Sequence, residues 1–254
     1  MKYLLECCVD STESALSALR GGADRLELCG NLIIGGTTPS LALFRQVRRL
    51  VSLPIHVLLR PRFGDFLYSE WEIEQLRDEV RLFREAGADG IVIGALTPEG
   101  DLDLAAMESL LAERGDMRVT LHRAFDMCRN PLDTMEQAIC LGIDTILTSG
   151  QQNNCYEGRE LFKELSQVSR GRIDLMAGSG VSAGVIRSLL KETPIRSFHM
   201  SGKKTIDSGM RYRRKEVSMG LPSFSEYELF RTDETEIAAA RAVLTSFQEK
   251  GETR

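Results

Sequence analysis

A short motif that recurs three times constrains the fold of this chain more than any other feature. The copies are Gly22-Ala-Asp24, Gly87-Ala-Asp89 and Gly142-Ile-Asp144. In each copy a glycine ends an amphipathic helix, an aspartate follows in a turn, and an apolar run with strand character begins. The repetition predicts that one helix–turn–strand unit is used several times along the chain.

The rest of the sequence alternates between strand and helix patterns. Eight strands are predicted, at residues 4–10, 25–29, 55–60, 90–96, 119–122, 145–149, 174–177 and 197–201. Helices fill the gaps, and a long, poorly patterned stretch at 202–231 precedes a closing helix at about 233–248. The three motifs precede the second, fourth and sixth strands, as alternate units of a (β/α)8 TIM barrel would. A doubly wound open sheet is the alternative, but eight evenly spaced units favour one closed barrel domain over residues 1–254.

Composition limits the partners of the chain. Its 254 residues are 43% hydrophobic and 27% charged, as in soluble globular proteins. A formal net charge of -5 without a basic tract argues against nucleic acid. No apolar run is long enough to span a bilayer, and a charge interrupts the first residues too early for a signal peptide. We therefore expect a cytoplasmic protein with no membrane partner, and in that compartment its six cysteines should be free thiols. No CxxC pair occurs, so a zinc-ribbon or thioredoxin-type site has no support.

Alternation along the strands predicts which side chains enter the barrel. The apolar partners should face the helices, which sends an unusually polar set toward the carboxyl ends of the strands, where such barrels hold their sites. The inward set is Glu6, Cys8, Glu27, Cys29, Arg60, Gly94, His122, Thr148, His199 and Ser201. Burying such groups unpaired costs several kcal/mol each. These polar groups should be satisfied either by a network of ion pairs or by solvent and a ligand in a functional site at the carboxyl ends of the strands. The set as a whole favours the functional site.

Two cysteines of this set form a possible metal site. The pattern Glu-x-Cys occurs at Glu6-Cys7-Cys8 and again at Glu27-Leu28-Cys29. If these patterns occupy matching points of neighbouring strands, Cys8 and Cys29 lie about 5 Å apart. Two thiolates at that distance suit a soft ion such as Cu(I). The alternative is a pair of small buried hydrophobic residues, which is how free cysteine usually packs.

Two further groups of residues could bind or transform a small molecule. Gly178, Ser179 and Gly180 follow the seventh strand, and Ser201 and Lys203 follow the eighth, where this architecture commonly binds phosphate. These loops could equally be tight turns before helices.

The second group is a charged rim that includes Arg60, His122 and Asp126. Either His122 or His199 could act as an acid–base group near neutral pH, beside Glu6 or Glu27. A belt of salt bridges that holds the mouth rigid is the alternative.

The stretch at 202–231 is too long for a simple connection unless something holds it. It carries Met210, Tyr212, Phe224 and Tyr227, which are apolar groups that need cover. We expect this stretch to pack over the barrel mouth or to form a contact between subunits.

Several long blocks of residues follow one another over nearly the whole chain. They are Glu6-x-Cys8-Val-Asp10-Ser, Gly-Gly-Ala-Asp24-Arg-Leu-Glu27-Leu-Cys29, Gly-Gly-Thr-Thr-Pro-Ser40, Arg60-Pro-Arg62-x-Gly-Asp65-Phe-x-Tyr68-Ser, His122-Arg-Ala-Phe-Asp126, Leu-Thr-Ser-Gly150, Gly-Ser-Gly180 and Ser208-Gly-Met-Arg-Tyr-Arg213. In this order the blocks resemble the CutC family of copper homeostasis proteins.

The resemblance implies a cytoplasmic TIM barrel that is commonly oligomeric and has a role in copper tolerance. It also implies Cu(I) binding at Cys8 and Cys29. Two thiols do not account for the other polar residues of the mouth, so a second function stays open. This function is that of an isomerase, epimerase or lyase that acts on a small anionic substrate, phosphorylated or not, through Glu6, Glu27, Arg60, His122, Asp126 and His199.

Overall fold

Eight parallel strands close into a barrel in the computed structural model of this chain, which describes residues 3–214, 216–217, 219 and 225–252. Each strand pairs with the next along the sequence, and the eighth returns to the first. The strands are Leu4–Val9 (β1), Arg25–Leu28 (β2), Ile55–Leu58 (β3), Gly90–Ile93 (β4), Arg118–Leu121 (β5), Thr145–Thr148 (β6), Asp174–Ala177 (β7) and Ser197–Met200 (β8). The predicted (β/α)8 barrel is therefore confirmed, and the open sheet is not formed.

Helices surround the barrel, and the main hydrophobic core lies between the two layers. They are Thr12–Arg20 (α1), Leu41–Leu50 (α2), Glu70–Glu85 (α3), Leu104–Leu111 (α4), Pro131–Cys140 (α5), Arg159–Ser169 (α6), Ala183–Glu192 (α7) and Glu234–Glu252 (α8). The helix α8 closes the fold against α7 and α1, as the sequence predicts. Within the described ranges, no helix combines the length and hydropathy needed to cross a membrane.

Side-chain caps fix where several helices begin. Ser69 caps α3 in a complete capping box with Glu72. Ser11, and not Asp10, is the N-cap of α1 and accepts from the Ser14 N–H. Asp10 instead accepts a hydrogen bond from the backbone N–H of Leu32, which ties it to the loop after β2.

The three motif aspartates perform the same task in three places. Asp24, Asp89 and Asp144 each accept a hydrogen bond of 2.8 Å from a backbone N–H at the start of the preceding odd-numbered strand. Each aspartate also pairs with an arginine. The motif therefore joins the end of one helix to two adjacent strands at β2, β4 and β6.

Replacing Asp144 with alanine should lower the free energy of unfolding by about 1–2 kcal/mol. The Val119 N–H at the start of β5 would lose its acceptor in a partly buried position. Asp144→Asn keeps an acceptor oxygen and should cost less. Urea denaturation of both variants and the wild type measures the difference, and equal stability of Asp144→Ala and wild type would contradict this role.

The stretch after β8 contains two strands that the sequence did not predict. Lys203–Asp207 (β9) and Glu228–Thr232 (β10) form an antiparallel pair, and β10 also contacts α1. Met210 and Tyr212 are exposed in the single chain, and Phe224 lies outside the described residues. Cover by a second subunit, and with it the expected homo-oligomer, stays a prediction.

Candidate functional site

A cavity of about 660 Å³ opens at the carboxyl ends of the strands, where the polar set was expected. Most of the residues singled out from the sequence line it: Cys8, Glu27, Arg60, His122, Asp126, Ser179, Gly180, His199, Ser201 and Lys203. Glu6 and Cys29 are completely buried and contact lining residues. We call this cavity the mouth.

Cys8 and Cys29 lie next to each other as predicted, but the register between β1 and β2 differs from the predicted one. Cys8 lies beside Glu27 rather than beside Cys29, because neighbouring barrel strands are staggered by two residues relative to the matched patterns. The two sulfur atoms are nevertheless only 3.6 Å apart. Leu58 and Val92 pack around them in a small apolar cluster inside the barrel. Cys8 reaches the mouth, whereas Cys29 lies behind it.

Both thiols are held in the protonated form at neutral pH. The hydrogen bond with Cys29 and burial raise the pKa of Cys8 well above its ordinary value. For Cys29 the same contact lowers the pKa, but burial and the nearby Glu27 carboxyl outweigh it and raise the pKa. A metal ion that binds these sulfurs must therefore displace protons.

A chain of charged groups runs from the inside of the barrel to the mouth. Arg25 donates to Glu6 at 2.5 Å, and the other oxygen of Glu6 contacts Nδ1 of His199 at 2.8 Å. Nε2 of His199 lies 3.8 Å from the Glu27 carboxylate. The imidazole is thus placed between two buried carboxyl groups, one of which faces the mouth.

The pKa shifts in this chain follow from burial and from the neighbouring charges. Burial alone would raise the pKa of Glu6, but Arg25 and His199 hold it well below its usual range. Burial raises the pKa of Glu27, and the attraction of His199 offsets this only in part. Burial would lower the pKa of His199, but Glu27 and Glu6 outweigh it and raise the pKa. The network therefore keeps Glu6 ionised and stabilises the protonated form of His199.

Glu27 and His199 also belong to the surroundings of the cysteine pair. One donor atom from each of Cys8, Glu27 and His199 lies within 4.8 Å of the others. A sulfur, a nitrogen and an oxygen donor at this spacing can hold a metal ion of intermediate softness. The softest donors in this region are the sulfur atoms of Cys8 and of its neighbour Cys29.

His122 does not fit the predicted acid–base role. Its Nδ1 accepts from the backbone N–H of Ala124 at 3.2 Å, so the ring proton lies on Nε2. Burial, assisted by the charge of Arg60, lowers the pKa of His122 to about 3, which keeps the ring neutral. The ring packs on Phe66, and a Cβ atom at Gly94 would lie only 2.7 Å from it. Glycine at this position of β4 therefore makes room for His122.

Asp126 holds two loops together at the edge of the mouth. Its carboxylate accepts from the Ser149 N–H at 2.9 Å, from Arg123 Nε at 2.7 Å and from the Thr148 hydroxyl. These bonds use most of its acceptor positions and favour the salt-bridge alternative over catalysis. Thr148 was also predicted to point inward, and this is wrong. Leu147 lines the mouth instead, because the inward positions of β6 are shifted by one residue.

The glycine loop after β7 is only partly free to bind an anion. The N–H of Gly178 donates to the Thr148 carbonyl at 2.9 Å as part of the sheet. Ser179 and Gly180 both adopt positive φ angles, of 72° and 71°, and they line the mouth. The predicted anion site is thus reduced to the part of the loop beyond Gly178.

Inorganic phosphate is expected to bind near this loop, with Lys203 as the charged partner. Lys203 lines the mouth and lies 5.1 Å from the Phe230 ring centroid. Lys203→Ala should weaken binding about threefold to tenfold. Lys204→Ala is the control, because Lys204 is paired with Asp233 at 3.1 Å. Calorimetric titration measures the effect, and no binding to any of the three proteins would count against a phosphorylated substrate.

Three residues that shape the site were not singled out from the sequence. Arg25 and His56 lie inside the barrel, and Phe66 lines the mouth from the loop after β3. Burial, followed by the charge of Arg25, lowers the pKa of His56 to about 4. Alternation could have found Arg25 and His56, because they lie two residues from the inward-facing Glu27 and Leu58. Nothing in the sequence marks Phe66.

Fold and site together define a class of protein: a TIM barrel with a thiol pair beside a buried carboxylate–imidazole network. The model of the CutC family matches residues 3–204, and the chain belongs to this family. A human protein named copper homeostasis protein cutC homolog is 44% identical over 242 residues, covering 95% of this chain and 89% of that protein. A CutC family protein from Bacteroides fragilis is 46% identical over 230 residues, covering 89% and 91%.

Solved structures agree with this assignment. A CutC structure from Streptococcus agalactiae matches with a TM-score of 0.75 and 29% identity, covering 78% of this chain and 98% of that one. Phosphoribosyl anthranilate isomerase from Thermotoga maritima matches with a TM-score of 0.56 and 13% identity, covering 96% and 99%. At that identity the second match shows the barrel fold alone.

Proposed function

We propose that this chain is a cytoplasmic copper homeostasis protein that binds one Cu(I) ion through Cys8 and Cys29. The observation that carries the proposal is the 3.6 Å separation of the two sulfur atoms, with Cys8 reaching an open mouth. Thiolate sulfur is the donor that Cu(I) prefers, and a reducing compartment keeps both thiols available. Membership of the CutC family and the name of the human relative support a role in copper handling. A homo-oligomer belongs to the same proposal.

The surroundings of the pair support a site that can load and release the ion. Cu(I) reaches Cys8 first, because Cys29 lies behind it. Glu27 lies close to Cys8 and faces the mouth, so its carboxylate can pass the Cys8 proton on to solvent as the thiolate forms. The apolar neighbours Leu58 and Val92 keep water from the sulfur atoms, which protects a soft ion from hydration.

Competitive Cu(I) titration under anaerobic, reducing conditions tests the proposal. The wild type should bind one ion per chain, and Cys8→Ser with Cys29→Ser should bind roughly 100-fold more weakly or worse, because hydroxyl oxygen replaces both soft donors. Cys140→Ser is the matched control, since Cys140 is the exposed cysteine on α5. Wild-type affinity in the double variant would place the copper elsewhere.

A second candidate function is an isomerase, epimerase or lyase that acts on a small anionic substrate. One observation favours it: His199 lies between two buried carboxyl groups, and Glu27 faces the mouth. Such a chain can take up and return a proton at one position. A ligand found by thermal-shift screening that binds the wild type and the double serine variant, but not Glu27→Gln, would favour this function over copper binding.

A further inference from the structure

Two arginines among the described residues are buried inside this barrel, and they differ in how their positive charge is balanced. Arg25 is 7% exposed and forms an ion pair of 2.5 Å with Glu6. Arg60 is 9% exposed and lines the mouth. Its terminal nitrogens donate to three backbone carbonyls in the loops after β2 and β3, the shortest bond being 2.7 Å to Gly64. Carbonyl oxygens solvate the guanidinium but do not neutralise it.

The charge of Arg60 therefore has no counter-ion within the part of the chain that the structure describes. No carboxylate there forms an ion pair with it, and its Nε has no hydrogen-bond acceptor. A buried charge without an opposite charge is costly, and proteins usually neutralise it with a partner or a ligand. Asp65, the nearest acidic residue in sequence, is paired with Arg62.

His122 presents a second unused donor to the same mouth. The ring is 4% exposed, and its Nδ1 is occupied by the Ala124 N–H. The proton must then lie on Nε2, which is buried and has no acceptor among the described residues. His56 Nδ1 and Thr120 Oγ1 are unpartnered as well, but neither lines the mouth. Of these unpartnered donors, His122 Nε2 and Arg60 Nε belong to described residues that line the mouth.

Phe66 holds these two groups together. The Arg60 guanidinium carbon lies 5.1 Å from the Phe66 ring centroid, and the His122 ring centroid lies 4.8 Å from it. The aromatic ring contacts both polar groups on the side of the mouth where β3, β4 and β5 end. The Arg60 cation and the neutral His122 N–H donor are thus held in place before a ligand binds. This preorganisation favours a ligand that is negatively charged and accepts hydrogen bonds.

We infer that the mouth contains a second binding site, separate from the cysteine pair, for a small organic carboxylate whose oxygens accept from His122 Nε2–H and lie against the charge of Arg60. A carboxylate fits this side of the mouth better than a phosphate dianion does. It carries one charge, which Arg60 neutralises, and it has two oxygens for the two unused donors. A cavity of about 660 Å³ accommodates a small molecule attached to that carboxylate.

Nitrogen-15 NMR of the histidine rings tests this site in the copper-free, reduced protein, with sodium acetate as the probe and chloride to hold ionic strength. The chain has three histidines, so the ring signals can be assigned by substitution. Acetate should produce a saturable shift at His122 Nε2, with smaller changes at His56 and His199. Calorimetric titration, which does not depend on the His122 signal, should show acetate binding weakened about tenfold or more by His122→Phe and at least as much by Arg60→Met. Lys204→Met, which removes a lysine that does not line the mouth and is paired with Asp233, should bind acetate as the wild type does.

The outcomes that would overturn the inference are distinct from failure of the copper site. They are an unchanged His122 signal at high acetate, an equal shift with chloride alone, or unaltered binding by Arg60→Met and His122→Phe. Tighter binding of inorganic phosphate than of acetate at His122 would overturn the assignment to a carboxylate. Arg60→Met also removes bonds to loop carbonyls. If that variant does not fold, the wild-type titration and His122→Phe decide the question.

Discussion

Glu6→Ala should be among the most destabilising single substitutions in this protein, lowering the free energy of unfolding by about 3–5 kcal/mol. Glu6 is completely buried and is bound by Arg25 at 2.5 Å and His199 at 2.8 Å. Alanine would leave Arg25 as an unpaired charge inside the barrel and would remove part of the attraction that raises the pKa of His199. Chemical denaturation of the variant and the wild type at neutral pH measures the loss.

Two controls separate the buried ion pair from general effects of removing a glutamate. Glu160→Ala removes a carboxylate from an exposed pair with Lys163 and should leave stability unchanged. Glu6→Leu combined with Arg25→Met removes both charges and should cost less than the sum of the single variants. Additive losses would show that Glu6 and Arg25 do not stabilise each other.

The affinity for Cu(I) should rise with pH by up to about 100-fold per pH unit between about pH 6 and pH 8. Burial and the mutual contact keep both thiols protonated, because the pKa of Cys8 and that of Cys29 are raised. Copper binds thiolates, so each protonated thiol releases one proton, and each released proton contributes a factor of ten per pH unit. The Cu(I) affinity is therefore lowest at acidic pH. It increases with pH up to the pKa values of the metal-free thiols, above which binding no longer displaces protons.

Single variants test the proton count directly. Cys29→Ser leaves one thiol, so the pH dependence of the Cu(I) affinity should fall to about tenfold per pH unit. The affinity itself should also be lower than that of the wild type. Glu27→Gln removes a negative neighbour that helps to raise the pKa of both thiols, and it should increase affinity at low pH. An affinity that does not change with pH in the wild type would contradict protonated thiols or thiolate ligation.

The fold was predictable because its determinants are local. The repeated glycine–aspartate motif is visible in the sequence, and each aspartate makes the same 2.8 Å bond to a neighbouring strand. Alternating apolar residues placed the strands within a few residues of their observed bounds. The pair β9 and β10 was missed because its side chains are mostly exposed, and exposed strands lack the alternation that marks buried ones.

The candidate site was predictable in composition but not in its contacts. Strand alternation sent Cys8, Glu27 and His199 into one mouth, as the structure shows. It could not give the stagger between β1 and β2, which places Cys8 beside Glu27 and decides which neighbour shifts the thiol pKa. The neutral state of His122 could not be predicted from the sequence either. It results from burial and from the charge of Arg60, and both depend on the closed barrel.

X-ray absorption at the copper edge, on wild type loaded with one equivalent of Cu(I), is the most direct test of the proposed site. Two sulfur scatterers in the first shell are expected, and they should disappear when Cys8 and Cys29 are both serine, while Cys140→Ser leaves them unchanged. A first shell of nitrogen and oxygen alone, or a sulfur shell that survives in the double variant, would contradict copper binding at this cysteine pair.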